Sequence, residues 1–287
     1  MGAIVVAGSA STALGGALAA ALNVPSATVE SRRFPDGEAY VRIHDDLAGK
    51  EVIVIQSTFP DPSIVELLIL LDAVREFPIT SVTTVIPYFA YSRQDKVFEK
   101  GEAISARALA RAIAAHSDRF VSVDLHTTSI LKWFDIPASH VTAMRDFGHY
   151  FHKEGRIDLV MAPDKGAVDR ARVTAEIIGC DWDHLEKTRI DATTVRITPK
   201  QLDVRGRHVL LVDDVISTGG TILKATESLR GQGAASVTAA CTHGLFAQGA
   251  LDRLRSTLDG VVATDTIENA VSRISVGATL AQHLRQQ

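Results

Sequence analysis

The chain has little cysteine. Cys180 and Cys241 in 287 residues are too few for a disulfide framework, so both are expected to be buried, reduced thiols of a cytoplasmic protein. No charged residue precedes Glu30, whereas a secretory leader wants a basic start. A membrane-spanning apolar run is missing there too, because Gly8, Ser9, Ser11, Thr12, Gly15 and Gly16 interrupt the stretch. The better parse is a buried strand, Ala3–Ala7, then a small-residue turn, then a helix through Ala21. Neither sign of charge prevails, with 30 Lys and Arg against 34 Asp and Glu. That balance excludes a wholesale polyanion binder, so no nucleic-acid or membrane partner is expected, and it leaves room for a local basic patch.

What is present suits a globular chain. Hydrophobic residues at 46% and charged residues at 22% exclude a disordered or low-complexity protein. The length fits two domains of roughly 100–200 residues each. Short β-branched runs recur at Val52–Ile55, Val82–Ile86, Phe120–Val123, Leu159–Ala162, Val209–Val212, Val237–Cys241 and Val261–Ala263. They lack alternation, as strands covered on both faces should. Between them lie helical patterns such as Ile64–Glu76, Ile104–Ala115, Ile222–Arg230 and Gln248–Leu254, so the fold class is α/β with mainly parallel sheet.

The two halves also look alike. Gly49-Lys-Glu-Val-Ile-Val-Ile55 returns as Gly206-Arg-His-Val-Leu-Leu-Val212, Ser81-Val-Thr83 as Ser236-Val-Thr238, and the first strand end at Ala7 as Ala162. The separations are nearly constant, which argues for duplication. Val123-Asp124 and Thr264-Asp265 sit closer together, so the first half carries about 14 extra residues between Phe89 and Asp124. That excess includes the charge-dense stretch Tyr91–Glu102. It reads as a long mobile loop, a common place for added function.

The strongest chemical signal is Val209-Leu-Leu-Val-Asp213-Asp214-Val-Ile-Ser217-Thr218-Gly219-Gly220-Thr221. Four apolar residues deliver two carboxylates to the carboxyl end of a strand, where α/β sheets hold ligands. The hydroxyl- and glycine-rich turn that follows opens a helix, whose amino end favours a phosphate. Carboxylates repel phosphate and only accept hydrogen bonds, so sugar hydroxyls are their natural partners. The loop reads as a holder of a phosphorylated sugar; a Walker loop would need Gly-Lys-Ser/Thr.

This loop resembles the phosphoribosyl pyrophosphate (PRPP) loop of phosphoribosyltransferases. With Phe34–Glu38, Tyr91-Ser-Arg-Gln-Asp95, Asp124-Leu-His126, Ala162-Pro-Asp-Lys-Gly166 and Lys187-Thr-Arg189, the chain is similar to the ribose-phosphate diphosphokinases, the PRPP synthases. The compact archaeal-type members are closest in character. The resemblance implies two related phosphoribosyltransferase-like domains, 1–145 and 146–287, each a mainly parallel sheet flanked by helices. It also implies transfer of the β,γ-diphosphoryl group of ATP to the anomeric hydroxyl of ribose 5-phosphate, giving PRPP and AMP. Two other readings are a phosphoribosyltransferase consuming PRPP and a non-catalytic regulatory homologue; the doubled domain and the intact charged residues argue against them.

On this resemblance Lys187 and Arg189 supply positive charge to the transferring group. Phe34, Asp36, Gly37, Glu38, Arg93, Gln94 and Asp95 are implied to bind ATP. Arg189, Asp213, Asp214, Ser217, Thr218, Gly219, Gly220 and Thr221 are implied to bind ribose 5-phosphate. Asp164 and His126 become magnesium-site residues, and Asp164 suits that oxygen-preferring ion better than an imidazole does. In this family the Phe34–Glu38 stretch reaches a neighbouring subunit's ATP, which implies a homo-oligomer. His140, His149 and His152 lack metal spacing and read as linker-region surface. Two departures stand out. Ser92 replaces the usual alanine, and Lys165 occupies the diphosphate turn where many members carry a small residue.

Overall fold

The structure is a computed structural model and describes residues 2–189, 195–199 and 202–287. In chain order the first half forms β1 (Ala3–Ala7), α1 (Thr12–Leu22), β2 (Val29–Arg33), β3 (Ala39–Ile43), β4 (Glu51–Ile55), α2 (Pro62–Arg75), β5 (Ser81–Ile86), α3 (Ser105–Ala114), β6 (Arg119–Val123) and β7 (Ala138–Val141). The second half adds α4 (Met144–Glu154), β8 (Leu159–Ala162), α5 (Val168–Ile178), β9 (Asp181–Arg189), β10 (Val195–Pro199), β11 (His208–Ile216), α6 (Gly220–Gly231), β12 (Ser236–Gly244), α7 (Ala250–Thr257), β13 (Gly260–Thr264), β14 (Ser272–Ile274) and α8 (Gly277–Leu284).

Two compact units result. The first runs to Thr142 and takes in Thr266–Glu268 and Ser275–Gln287, while the second holds Ala143–Asp265 and Asn269–Ile274. The tail, which the sequence assigns to the second domain, therefore packs in the first. There Gly277 lies against Ala17 of α1, and the Arg285 guanidinium donates to the Ala21 carbonyl.

In the first unit the strand order is β1-β4-β5-β6-β7, all parallel. In the second it is β10-β9-β8-β11-β12-β13-β14, parallel apart from the antiparallel β9–β10 pair. The repeat extends to register. Ile4 faces Val52 as Leu159 faces Val209, Glu51 faces Ser81 as His208 faces Ser236, and Thr83 faces Arg119 as Thr238 faces Gly260. Each pair joins residues that the sequence offsets equate.

Burial explains the absence of alternation in the apolar runs. On β11, Val209 and Leu211 pack with Ile222, Ala225 and Leu229 of α6 and Leu254 of α7. Leu210 and Val212 pack on the opposite face with Phe147 and Phe151 of α4 and Ala171 and Ala175 of α5. Both faces are covered, so every position is apolar. In α2 the buried Leu67, Leu70, Leu71 and Val74 follow the helical period, and Pro62 opens the helix where a missing N–H costs nothing. Each such side chain contributes roughly 1.5–3 kcal/mol by leaving water. Gly15 of α1 has a steric purpose, since a Cβ there would stand 2.5 Å from that of Ala7.

Two expectations are corrected. His140 is not linker surface: it lies in β7 with its Nδ1 buried, whereas His149 and His152 are exposed on α4. The helix expected from Gln248 begins at Ala250, because Gln248 has a left-handed φ of 55°. No helix among the described residues is long and apolar enough to cross a membrane.

Candidate active site

In the second unit, strands β8 and β11 are neighbours, so the turns at their carboxyl ends stand side by side. After β8, Asp164 caps a single 3-10 turn, Lys165–Ala167, its Oδ1 accepting the Gly166 N–H at 2.8 Å. Asp164, Lys165 and Gly166 are exposed, and Lys165 Nζ lies 3.5 Å from Glu186 Oε1 on β9. After β11, Gly219 adopts a left-handed φ of 75°, which a side chain would strain, and it caps α6 without a side-chain hydrogen bond. Thr218, Gly220 and Thr221 are exposed and Ser217 is half-buried. The first amides of α6 therefore have no side-chain cap beside an open surface, the arrangement that suits an anion. Arg253 of α7 braces this loop, donating to the Thr218 and Gln248 carbonyls at 3.1 and 2.5 Å.

Asp213 and Asp214 follow the four fully buried residues Val209–Val212 of β11. Asp214 is nearly inaccessible, and its Oδ2 lies 3.3 Å from Nη2 of Arg170 in the first turn of α5. Asp213 Oδ1 accepts the Asp214 N–H at 2.9 Å. Burial, reinforced by the hydrogen bond and charge of Asp214, pushes the Asp213 carboxyl up to about 8, with Arg170 opposing. The free protein thus holds a proton on this acid pair near neutral pH.

Lys187 and Arg189 lie in β9, their backbones facing Ile197 and Val195 of β10. Their side chains lie outside the described residues.

The first unit carries the other expected residues. β2 and β3 form an antiparallel hairpin whose tip is Phe34–Glu38. Phe34 is 39% exposed and meets Tyr40 edge-on at 5.7 Å, with the Arg32 guanidinium over both rings. It is a surface ring. Gly37 turns the tip with φ 94°, and Asp36 Oδ1 accepts the Glu38 N–H at 3.1 Å. The charge-dense stretch is tied to itself, because Glu102 Oε2 accepts the N–H groups of Phe98 and Glu99 and the Gln94 amide. That amide also donates to Lys96 and Ala103 carbonyls, so Gln94 organises the loop from within. Arg93 is exposed, as is His126 beyond the end of β6. Asp95 Oδ2 accepts from Ser129 Oγ at 3.2 Å, joining the loop to the segment after His126. The start of α2 receives both expected ATP segments: Tyr91 Oη donates to Asp61 at 2.8 Å and Arg33 to the Pro62 carbonyl at 3.5 Å.

Comparison with known proteins decides the family. Residues 3–116 match the family model described as the N-terminal domain of ribose phosphate pyrophosphokinase, and residues 138–278 match the phosphoribosyl transferase domain. A ribose-phosphate pyrophosphokinase of Methanopyrus kandleri is 46% identical over 97% of this chain and 97% of its own. One from Thermococcus kodakarensis is 46% identical over 86% and 89%. The crystal structure of phosphoribosylpyrophosphate synthetase from Mycobacterium smegmatis superposes with TM-score 0.85 at 31% identity, covering 99% of this chain and 98% of that one. The chain belongs to the ribose-phosphate pyrophosphokinase family.

Within this family member the two copies have diverged at the place that matters. By the repeat, Gln56 and Ser57 occupy the places of Asp213 and Asp214, and Gly8 caps its turn where Asp164 does in the second copy. The first copy closes its turn from within: buried Glu66 of α2 accepts the Ser9 N–H at 2.7 Å and its hydroxyl at 2.6 Å. Gln56 Oε1 takes the Ala10 N–H at 2.9 Å. Glu66→Ala is expected to lower stability in urea by about 1–3 kcal/mol, because it removes two hydrogen bonds to a charged acceptor. An unchanged midpoint would show that Glu66 does not hold this end of the sheet. Sequence reasoning missed Glu66, Arg170 and Arg253. Arg170 carried a signal, lying one helical turn beyond Gly166; Glu66 meets Ser9, and Arg253 meets Thr218, far along the chain.

Proposed function

We propose that this chain makes PRPP: it transfers the β,γ-diphosphoryl group of ATP to the anomeric hydroxyl of ribose 5-phosphate and releases AMP. The observation that carries the reading is the acid pair Asp213-Asp214, set in the last four residues of β11, which leads through Ser217–Gly219 into the uncapped amino end of α6. Hydroxyls of the sugar donate to the carboxylates. The 5-phosphate takes the amides and hydroxyls of Ser217–Thr221. The turn at Asp164–Gly166 receives the diphosphate, and ATP uses Phe34, Asp36, Gly37, Glu38, Arg93, Gln94 and Asp95. In the transfer the anomeric oxygen bonds to the β-phosphorus while the bond from that phosphorus to the AMP oxygen breaks. Lys187 and Arg189 neutralise charge on the phosphate oxygens, and catalysis is mainly positioning and electrostatics.

Among the described residues no group of three His, Cys, Asp or Glu could hold a metal ion. Magnesium does not require one, since it keeps waters and is shared between one or two carboxylates and substrate phosphates. Exposed Asp164 fits that role, and His126 fits it less well. Bound magnesium would neutralise and orient the diphosphate. The solvent-facing Phe34 tip is suited to reach a second copy, which makes the active form a homo-oligomer.

The test is product analysis of purified protein with magnesium, ATP and ribose 5-phosphate. Matched formation of AMP and PRPP is expected, lost when any component is omitted. ADP in place of AMP would mean a simple kinase. Binding of ribose 5-phosphate without turnover would mean a regulatory homologue.

A further inference from the structure

We infer that Arg170 is a positioning residue of the transfer, locking the ribose-side carboxylate Asp214 to the diphosphate turn so that both seats are ordered together. The inference rests on the proposed reading of those two loops as substrate seats.

The geometry is that of a fork. Arg170 projects from α5, one helical turn past the diphosphate turn, with one fifth of its side chain exposed. Nη2 meets Asp214 Oδ2 at 3.3 Å, and Nη1 points to the Gly166 carbonyl at 3.4 Å. A planar guanidinium holds two acceptors in a fixed relation, which a single ammonium on a flexible stem does not. Asp214 is 4% exposed, so its charge is costly unless paired. Asp213 follows the same logic from the other side, since Arg170 opposes the upward push on its carboxyl.

The first copy gives independent support from within the chain. There α1, like α5, has eleven residues and follows a three-residue 3-10 turn. The third residue of that helix is buried Leu14 in place of Arg170. The same copy has Gln56 and Ser57 where Asp213 and Asp214 stand, and Gly8 caps its turn as Asp164 caps the other. Cation, acid pair and turn carboxylate are therefore absent together. A guanidinium kept only for helix packing would not be expected to depart with the sugar-binding acids.

The experiment compares Arg170→Gln and Arg170→Lys with the unaltered protein. It measures KM for ribose 5-phosphate, KM for ATP, kcat and the thermal midpoint, after the unaltered protein has been shown to release AMP and PRPP together. Arg170→Gln should raise both KM values about tenfold and lower kcat by about 10–100-fold. Arg170→Lys should return the ribose 5-phosphate KM to within about threefold, because an ammonium still pairs with Asp214. Its kcat should stay at least about tenfold low, because the tie to Gly166 is not restored. A purely structural role would shift the midpoint while the folded fraction kept its kcat and both KM values, and that result overturns the inference. Should Arg170→Gln not fold, Arg170→Lys decides alone: full turnover in it overturns the inference. If the unaltered protein forms no PRPP, the reading of the two seats fails first.

Discussion

Lys187→Ala is expected to lower kcat by about 10³-fold while the KM values for ATP and ribose 5-phosphate move by less than about threefold. Diphosphoryl transfer spreads charge over equatorial oxygens and leaves more on the departing AMP, and little covalent chemistry is available to a side chain. A cation that meets this charge mainly in the transition state contributes to kcat and little to ground-state binding. The ground-state seats proposed above lie elsewhere, at the Asp164 turn and the loop before α6. Lys187 belongs to β9, the strand next to β8 and its Asp164 turn. Rapid-quench turnover at saturating substrates, set beside equilibrium binding of each substrate, separates the two effects. Unchanged turnover would remove Lys187 from the mechanism, and an equal loss in binding and turnover would make it an ordinary substrate ligand.

Much of this architecture was legible because its causes are local. A strand covered on both faces must be apolar at every position, so β4, β5, β6, β8, β11, β12 and β13 announced themselves. Duplication was legible because register survived divergence, as the matching pairs Ile4–Val52 and Leu159–Val209 demonstrate. The acid pair and the glycine turn were legible because one strand end and one helix start hold both. Strand β9 was harder. Its sequence Asp181-Trp-Asp-His-Leu-Glu mixes charge with apolar residues, and it gains strand structure from β8 on one side and β10 on the other. The return of the tail to α1 depends on packing between opposite ends of the chain. Glu66 on Ser9 and Arg253 on Thr218 are likewise pairings across space, without a local pattern that demands them. From its density of charge the loop from Tyr91 to Glu102 reads as mobile. Glu102 uses that charge to collect the N–H groups of Phe98 and Glu99, and those bonds hold its own carboxyl below the usual range.

Asp213→Ala should act on the other substrate and in the opposite kinetic sense. The ribose 5-phosphate KM is expected to rise about 10–100-fold, matching the roughly 1.5–3 kcal/mol of hydrogen bonds to a charged group, while kcat at saturation falls much less. The pH dependence follows from the raised carboxyl. The folded protein keeps the Asp213 proton up to about 8, whereas an unfolded chain releases it near the ordinary 3.8. Between those values the folded state binds more protons, so this group's contribution makes stability fall as pH rises. Sugar hydroxyls donate to the ionised form, so ribose 5-phosphate should bind more tightly as pH rises toward 8 and should release a proton on binding. Removing the carboxyl abolishes both slopes: the Ala variant should show flatter stability and flatter KM against pH over that window, with weaker binding throughout. Titration calorimetry in two buffers of different ionisation enthalpy reads the released proton directly. A variant that kept the wild-type pH slopes would place the shared proton on Asp214, and Asp213 would then be a charged acceptor from the outset.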